Sequence, residues 1–103
     1  MLYAFEQEVP IDSAIYEKIM QRIGAEPIAG QLVHLALQTD DGTLRYIDVW
    51  TSKEAYDRAV ADRIHPAVSA GLREIGFQPT NEPPRQEWNV VDVRGLSVGQ
   101  VSP

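Results

Sequence analysis

The 103-residue sequence predicts a single α+β domain with the element order β-α-β-β-α-β. The prediction depends on three features: segments in which apolar residues alternate, segments in which they recur every three to four residues, and an Asp-Asp-Gly turn between two alternating segments. Alternation is typical of strands and the longer period of helices, because successive side chains of a strand point to opposite faces. This order predicts two helices on one face of a four-stranded antiparallel sheet, the ferredoxin-like arrangement.

The amino-terminal unit is one strand followed by one helix. Tyr3–Val9 is aromatic-rich and alternates weakly, which predicts the first strand. A helix over residues 13–23 follows, because isoleucine recurs there every four residues and forms an apolar stripe. Asp12 is of the residue type that caps a helix start, and Gly24 is of the type that ends a helix.

The middle of the chain predicts a β-hairpin. Leu32–Thr39 and residues 44–50 both alternate between apolar and more polar side chains. Asp40–Gly42 joins them, and Asp and Gly tolerate the positive φ angles that tight turns require. The two strands are therefore expected to be antiparallel neighbours. Their alternation allows His34 to share a face with Asp48, but it leaves the register open.

A long helix and a last strand complete the order. Thr51–Glu54 reads Thr-Ser-Lys-Glu and predicts a capping box, in which the first and last residues satisfy each other's backbone amides. The apolar stripe after it continues to Gly76, but Pro66 lacks the N–H of the helical ladder, so we expect a kink or a restart there. After a proline-rich loop, residues 77–86, the segment Glu87–Val93 predicts the fourth strand.

The third strand carries an unusual face. Tyr46, Asp48 and Trp50 alternate with Ile47 and Val49, so two large rings and a carboxylate share one side of the strand. A plain core face carries aliphatic residues at such positions. We expect this face either to meet the helices and line a pocket or to meet a second subunit.

Composition excludes several classes of function. The net charge is -6, with nine Lys and Arg scattered among fifteen Asp and Glu, so the sequence has no clustered cations for binding nucleic acid or an anionic membrane. There is no cysteine, which excludes disulfides and thiolate metal ligands and predicts a reducing cytoplasm. No apolar run approaches the roughly 20 residues of a membrane span, and the start lacks the basic region of a signal peptide.

One domain over residues 1–95 is expected, followed by a tail of residues 96–103, because a chain of this length supports one core. Two helices cover only one face of the predicted sheet. The other face carries large apolar residues and must be buried, and a second copy of the same sheet is the usual solution. The sequence therefore predicts a homodimer formed through the sheet faces, with neither nucleic acid nor a membrane as a partner.

With these elements placed, the chain resembles the dimeric α/β-barrel superfamily, and within it proteins similar to antibiotic-biosynthesis monooxygenases. Tyr46–Tyr56 carries the resemblance, through a strand that ends acidic-x-aromatic and a helix start that reads Ser-Lys-Glu-Ala-Tyr. The chain looks closest to small actinobacterial-type proteins that have a histidine near the start of the preceding strand, which is His34 here. In those proteins the long helix has an arginine, a proline and a closing glycine, which are Arg63, Pro66 and Gly76 here.

The resemblance covers roughly residues 3–93 and implies a dimer with a pocket between sheet and helices in each subunit. The superfamily includes cofactor-free oxygenases, isomerases and haem-degrading enzymes, so the resemblance does not imply one substrate. The first of these classes needs no bound metal or flavin, because an electron-rich substrate carbanion reacts with dioxygen by itself.

Asp48 and His34 are the candidate catalytic residues. A carboxylate on a covered strand face can act as a general base, and a histidine beside it can act as an oriented imidazole. The alternative for Asp48 is that it pairs with Arg63 or Arg45, or lies at a wet dimer seam, since buried carboxylates are usually paired. The alternative for His34 is a structural or interface role.

Aromatic and cationic residues are the candidates for ligand contact. Flat aromatic walls suit a polycyclic or quinone-like ligand, and an arginine or histidine beside them can neutralise or hydrogen-bond it. The alternative for each of these residues is a place in the core or at the dimer contact. The candidate ligand-binding residues are Tyr46, Trp50, Arg63, His65, Tyr16 and Tyr56.

No metal or other cofactor is predicted. His34, His65 and Asp48 have suitable side chains, but two histidines far apart in sequence give no local ligand spacing. Neither a His-x-x-x-His nor a Glu-x-x-His pattern occurs, and there is no glycine-rich phosphate loop and no serine-nucleophile motif.

Three functions are compatible with these residues. The first is a cofactor-independent monooxygenase-like or isomerase-like enzyme that acts on a small aromatic or polyketide-type molecule, with Asp48 or His34 abstracting a proton. The second is a non-catalytic dimeric module that binds a small ligand or only dimerises. The third is haem binding or degradation, with His34 or His65 as the iron ligand.

Overall fold

The computed structural model describes residues 1–76 and 82–95 and has the predicted α+β architecture. Neighbouring strands are all antiparallel, in the order β2-β3-β1-β4, and the helices pack on one face of the sheet. The strands are β1 (Tyr3–Val9), β2 (Gln31–Gln38), β3 (Leu44–Trp50) and β4 (Arg85–Asn89), and the α-helices are α1 (Ser13–Ile23), α2 (Lys53–Ala59) and α3 (His65–Glu74).

The pairing of β3 decides which way its unusual face points. Asp48 is opposite Phe5 of β1 on one side and opposite His34 of β2 on the other. Phe5 and Trp50 are buried in a cluster that includes residues of α2. The face made of Tyr46, Asp48 and Trp50 therefore meets the helices and not a second subunit.

The covered face of the sheet holds two apolar clusters, whose buried members are Tyr3, Phe5, Trp50, Tyr56 and Ala59 in one and Ile11, Ile19, Leu44 and Leu72 in the other. Burying each large side chain stabilises the fold by about 1.5–3 kcal/mol. Tyr16 and Tyr46 pack against the second cluster, whereas Trp50 belongs to the first. Asp48, which lies between Tyr46 and Trp50 on the strand, is therefore at the boundary of the two clusters.

Helix α1 begins as predicted, but α2 begins one residue late. The Asp12 carboxylate accepts a hydrogen bond from the backbone N–H three residues later, over 2.9 Å. In α2 the cap is Ser52, whose hydroxyl oxygen accepts the equivalent bond over 3.0 Å. The prediction that Thr51 caps this helix is wrong, because its backbone N–H donates to the Gly30 carbonyl over 2.8 Å and so extends the pairing of β2 with β3.

The predicted long helix is interrupted before Pro66. Val60–Ile64 forms wider π-helical turns, and the backbone N–H of His65 donates to the Val60 carbonyl. Helix α3 then starts, with Pro66 in its first turn. A proline is tolerated there because the first turn of a helix leaves its N–H groups unpaired in any case, so the restart follows from the proline's missing donor.

Strand β4 lies earlier in the chain than the predicted Glu87–Val93. Its last residue, Asn89, is opposite Tyr3, which is the first residue of β1, so the pairing ends where β1 begins. The first part of the predicted proline-rich loop, residues 77–81, lies outside the described residues, as does the predicted tail of residues 96–103.

Within residues 1–76 and 82–95, no segment covers the second face of the sheet. Leu35, Leu37 and Trp88 lie on it with exposed fractions of 45%, 44% and 54%. Such a row of exposed apolar side chains on one face is uncommon in a monomer and typical of an interaction surface. Among the described residues, no helix has the length and apolarity that a membrane span needs.

Candidate functional site

The candidate site is a hydrogen-bonded chain of four side chains under the helices, which we call the polar chain: Tyr16, His34, Asp48 and Trp50. The Tyr16 hydroxyl lies 2.8 Å from His34 Nε2. His34 Nδ1 lies 2.7 Å from Asp48 Oδ1, and Trp50 Nε1 donates to Asp48 Oδ2 over 3.0 Å. The polar chain thus connects α1 to the two strands of the hairpin.

Local structure explains why these side chains meet. The β2–β3 register places His34 directly opposite Asp48. Trp50 follows Asp48 by two residues, so it lies on the same face of β3. Tyr16 lies in the second turn of α1, whose start is held by the Asp12 cap, and that helix lies over the sheet.

Asp48 is a buried charge with two donors. It is 4% exposed and is the buried charged residue of the described core. A carboxylate in the interior is costly unless it is paired and hydrogen-bonded. Both oxygens of Asp48 are bonded, one to His34 and one to Trp50. Each oxygen thus has one protein donor, while the imidazole of His34, with a side chain 23% exposed, is the part of the pair that reaches solvent.

Tyr46 forms the wall beside the polar chain. Its ring is edge-on to Tyr16 at 5.7 Å and to His34 at 5.1 Å between ring centroids. Burial raises the pKa of Tyr46, and the neighbouring Tyr16 and Asp48 raise it further. Burial and then the charge of Asp48 raise the pKa of Tyr16 as well. Both phenols therefore keep their protons at neutral pH.

The arginines that were expected to pair with Asp48 are bound elsewhere. Arg63 donates to three backbone carbonyls after and at the end of α1, over 2.8 to 3.0 Å: those of Ile23, Glu26 and Pro27. Arg45 is paired with Glu8 on the uncovered face. The alternative in which Asp48 is neutralised by Arg63 or Arg45 is therefore wrong, because the register places a histidine opposite Asp48 and Arg63 reaches the end of α1.

The remaining candidates for ligand contact lie in different surroundings. His65 is exposed at the first position of α3. Tyr56 packs edge-on to Trp50 at 5.3 Å and accepts a hydrogen bond from Arg85 over 3.0 Å, in the cluster beyond Trp50. Trp50 itself is completely buried at 0% exposure, so in this conformation it offers no surface to a ligand.

Two features of the site were not predicted. One is the indole N–H of Trp50 as a donor to Asp48, although the spacing of two residues on a strand already places both side chains on one face. The other is Arg85, which lies over the rings of Phe5 and Tyr56 at 5.7 and 4.9 Å. Arg85 follows a proline-rich stretch without periodicity, so the sequence contains no signal for its contact.

Access to the polar chain is from the edge of the sheet. His34 lies on β2, which is an outer strand, and Ala36, two residues on and on the same face, is exposed. Two open clefts of ≈ 560 and ≈ 310 Å³ lie elsewhere, one near the hairpin end of β1 and the other between the end of α1 and the start of α3. Neither cleft is lined by His34 or Asp48.

The three candidate metal ligands, His34, His65 and Asp48, do not form the cluster that a metal ion needs. Within residues 1–76 and 82–95, no group of three or more His, Asp or Glu side chains lies close enough together to hold a metal ion. His34 and Asp48 are adjacent, but the third candidate, His65, lies at the exposed start of α3.

Three solved structures share the fold over nearly their whole length. A protein described as an antibiotic biosynthesis monooxygenase from Chloroflexus aurantiacus has a TM-score of 0.62 and 17% identity, over 93% of this chain and 99% of its own. SnoaB, a cofactor-independent oxygenase from Streptomyces nogalater, has a TM-score of 0.54 and 21% identity, over 89% and 93%. Rv0793 from Mycobacterium tuberculosis has a TM-score of 0.52 and 16% identity, over 91% and 96%.

The chain therefore has the ferredoxin-like α+β fold of antibiotic biosynthesis monooxygenases, and the resemblance inferred from the Tyr46–Tyr56 segment is confirmed at the level of the fold. No family model and no curated protein matches the sequence. At these identities the structural similarity extends to the fold alone, because one fold supports many chemistries. The function depends on the chemistry of the polar chain.

Proposed function

We propose that this protein is an acid–base enzyme of the cofactor-independent monooxygenase or isomerase type, acting on a small aromatic or polyketide-type molecule. The observation that supports this most is the imidazole of His34, which is held by a buried carboxylate at 2.7 Å and is still partly exposed at the sheet edge. A base held in this way by a third group is the usual arrangement of an acid–base site. The similar fold of a cofactor-independent oxygenase agrees with it.

In the proposed reaction the imidazole takes up a proton that leaves the substrate. Asp48 stabilises the imidazolium that forms and keeps the ring in place, because both of its oxygens are already bonded within the site. The substrate carbanion then has two fates. In an isomerase the proton returns at a different carbon. In an oxygenase the carbanion adds to dioxygen, the peroxide anion that forms takes the proton back from the imidazolium, and the hydroperoxide then loses water to leave a carbonyl group.

We further propose that the protein works as a homodimer in the cytoplasm. The uncovered sheet face with Leu35, Leu37 and Trp88 supports the dimer, because an apolar face of this kind is stable in water when a second copy covers it. The absence of cysteine supports a reducing compartment.

A non-catalytic ligand-binding module is the second candidate. The observation that favours it is that the two open clefts lie away from His34, while Trp50 fills the space behind Asp48. Haem binding has less support, because both ring nitrogens of His34 are engaged in hydrogen bonds. A haem titration without a Soret shift would remove that third candidate.

The proposed chemistry is tested with an anthrone and a hydroxylated naphthalene ketone as probes. We expect dioxygen uptake or hydrogen–deuterium exchange at the acidic carbon in the presence of the protein, and a loss of about 100-fold in rate in His34→Gln, since general acid–base catalysis contributes about 10²–10⁴-fold. Far-UV circular dichroism verifies that the variant is folded. Equal rates for the variant and the unchanged protein, or no reaction with either probe, would favour the binding module.

A further inference from the structure

We infer that Tyr16, rather than His34, is the residue that exchanges a proton directly with the ligand, and that the site selects molecules that carry no negative charge on arrival. This inference rests on the proposed acid–base function. It specifies the contacting atom of that site and the charge class of its ligand.

The hydrogen bonds of the polar chain indicate where its protons lie. An ionised carboxylate only accepts hydrogen bonds, and Oδ2 of Asp48 accepts the indole N–H of Trp50. The bond of 2.7 Å at Oδ1 therefore needs a proton on Nδ1 of His34. A neutral imidazole with its proton on Nδ1 has a lone pair on Nε2. We take the imidazole as neutral before the transfer, and in that state the Tyr16 hydroxyl, 2.8 Å from Nε2, is the donor in that bond.

This assignment leaves Tyr16 as the open end of the polar chain. Both nitrogens of His34 are engaged, one with Asp48 and one with Tyr16. The Tyr16 oxygen has donated its proton inward and retains lone pairs for a second partner. Tyr16 is half-buried in α1, and its ring is nearly parallel to the His34 ring, with an interplanar angle of 13° and 6.1 Å between the ring centroids. We therefore infer that a ligand at the sheet edge contacts this oxygen.

The proton transfer balances without a cofactor. The ligand's O–H or C–H bond breaks as its proton moves to the Tyr16 oxygen. At the same time the original Tyr16 proton moves to Nε2 of His34. The products are a ligand anion, a neutral Tyr16, an imidazolium and the Asp48 carboxylate, so the total charge is unchanged. The reverse transfer returns the proton to the product.

The charges around the polar chain favour an uncharged ligand. Before the transfer the polar chain carries one negative charge, on Asp48, held in a buried setting where charge interactions are stronger than in water. Three arginines, one in the π-helical turns and two on the sheet, are bound elsewhere: Arg63 to backbone carbonyls, Arg45 to Glu8, and Arg85 to Glu82 and Tyr56. A carboxylate ligand would meet repulsion, whereas a neutral molecule becomes anionic only when an imidazolium has formed.

The surface beside His34 suits a flat molecule with one weakly acidic group. The exposed Ala36 lies beside His34 on the face of β2 that points toward the helices, and it pairs with Tyr46. A small side chain next to an aromatic edge leaves a shallow surface for a ring. We therefore place the ligand over Ala36, with its hydroxyl or acidic carbon at the Tyr16 oxygen.

The test compares two probes that share one ring system but differ in charge. 2-Naphthol is neutral near neutral pH and 2-naphthoate is anionic, and the binding of each is followed by fluorescence titration. We expect 2-naphthol to bind about tenfold more tightly than 2-naphthoate. Tyr16→Phe should weaken 2-naphthol by about tenfold, the effect of one hydrogen bond, and leave 2-naphthoate unchanged. Tyr3→Phe, which removes a buried hydroxyl in the other cluster, is the matched control and should change neither.

Any of three results would overturn the inference. They are equal or tighter binding of 2-naphthoate, an unchanged affinity for 2-naphthol in Tyr16→Phe, and no binding of 2-naphthol at all.

A second measurement does not depend on a ligand. Nitrogen-15 NMR of the two histidines, assigned with His65→Gln, should give the Nδ1–H tautomer for His34 and a shift of Nε2 in Tyr16→Phe. A proton on Nε2 would contradict the assignment.

Both measurements separate this inference from the proposed enzyme activity. A protein that prefers 2-naphthol through Tyr16 but turns over no probe would be a ligand-binding module with the predicted selectivity. A protein that shows His34-dependent turnover and is unaffected by Tyr16→Phe would be an enzyme in which His34 contacts the substrate directly.

Discussion

Asp48 is a buried charge that is stabilised by hydrogen bonds from two neighbouring side chains. Its carboxylate is almost completely removed from water, yet both oxygens have donors, His34 and Trp50. A buried carboxylate that loses such donors, or an amide in its place, leaves a polar group unpaired, and unpaired groups in the interior cost more than the bonds themselves contribute. The carboxylate of Asp48 is therefore needed for the stability of the site as well as for its proposed chemistry.

Replacing Asp48 by Asn should lower the free energy of unfolding by about 1–3 kcal/mol. The amide keeps the shape but has one acceptor for two donors, His34 Nδ1–H and Trp50 Nε1–H. Urea denaturation measures the change. The matched control is Asp57→Asn, which removes an exposed carboxylate 3.8 Å from Lys53 and should change stability by less than about 0.5 kcal/mol. Similar effects of the two substitutions would contradict the role given to Asp48.

At the scale of elements, the interruption of the predicted long helix positions an arginine at the end of α1, which the sequence did not indicate. The π-helical turns of Val60–Ile64 carry Arg63, and its guanidinium donates to carbonyls at and beyond the end of α1. The last carbonyls of a helix have no partners within the helix, and a cation near them also interacts favourably with the helix dipole. Arg63 therefore closes α1, the helix that carries Tyr16.

Replacing Arg63 by Met should destabilise the fold by about 1 kcal/mol, because the aliphatic stem is kept and the capping bonds are partly exposed. Chemical denaturation gives the change in stability. Arg58→Met at the exposed end of α2 serves as the control and should be close to neutral. An unchanged stability in Arg63→Met would mean that water replaces the guanidinium at no cost.

For the whole molecule, the uncovered sheet face leads to a prediction about mass in solution. We expect a particle of twice the 11.5 kDa chain mass in light scattering. Leu35→Glu places a charge on the uncovered face at β2, where Leu35 and Leu37 are both exposed, and should give a mass near 11.5 kDa. Ala61→Glu on the exposed surface of the helix layer should remain dimeric. A monomer mass for the unchanged protein would contradict the predicted homodimer.

The four tyrosines predict alkaline unfolding of the whole molecule. Burial is the main cause of a raised pKa in each, from the ordinary value of 10.0 to about 12 for Tyr3 and upward also for Tyr16, Tyr46 and Tyr56. Above pH 10 the unfolded chain releases protons that the folded chain retains. Stability is therefore fully present below about pH 10 and falls as the pH rises through the pKa values of the folded state.

Absorbance at the tyrosinate band, followed together with far-UV circular dichroism, tests this prediction. We expect little tyrosinate to form before the secondary structure is lost, and both signals to change together above pH 10. In concentrated guanidinium chloride the same tyrosines should titrate near their ordinary pKa of 10.0. Half-titration of the tyrosines of a folded protein near pH 10 would show that burial does not protect the phenols.

Most of the fold could be predicted because its elements have strong local signals. The isoleucine repeat, the Asp12 cap and the hairpin turn each match the structure, since periodicity and capping depend on residues close in sequence. The misplaced features depend on partners far away. The cap of α2 is Ser52 and not the predicted Thr51, because the Thr51 backbone N–H bonds to Gly30. Strand β4 ends before its predicted end because β1 begins at the paired residue.

The sequence by itself determined that Tyr46, Asp48 and Trp50 share one side of β3, because alternation follows from the backbone alone. Only the tertiary structure decided that this side meets the helices, that the β2–β3 register brings His34 to Asp48, and that α1 brings Tyr16 to His34. The physical reason is that pairing register and helix placement are set by contacts summed over the whole sheet, and no single segment contains them.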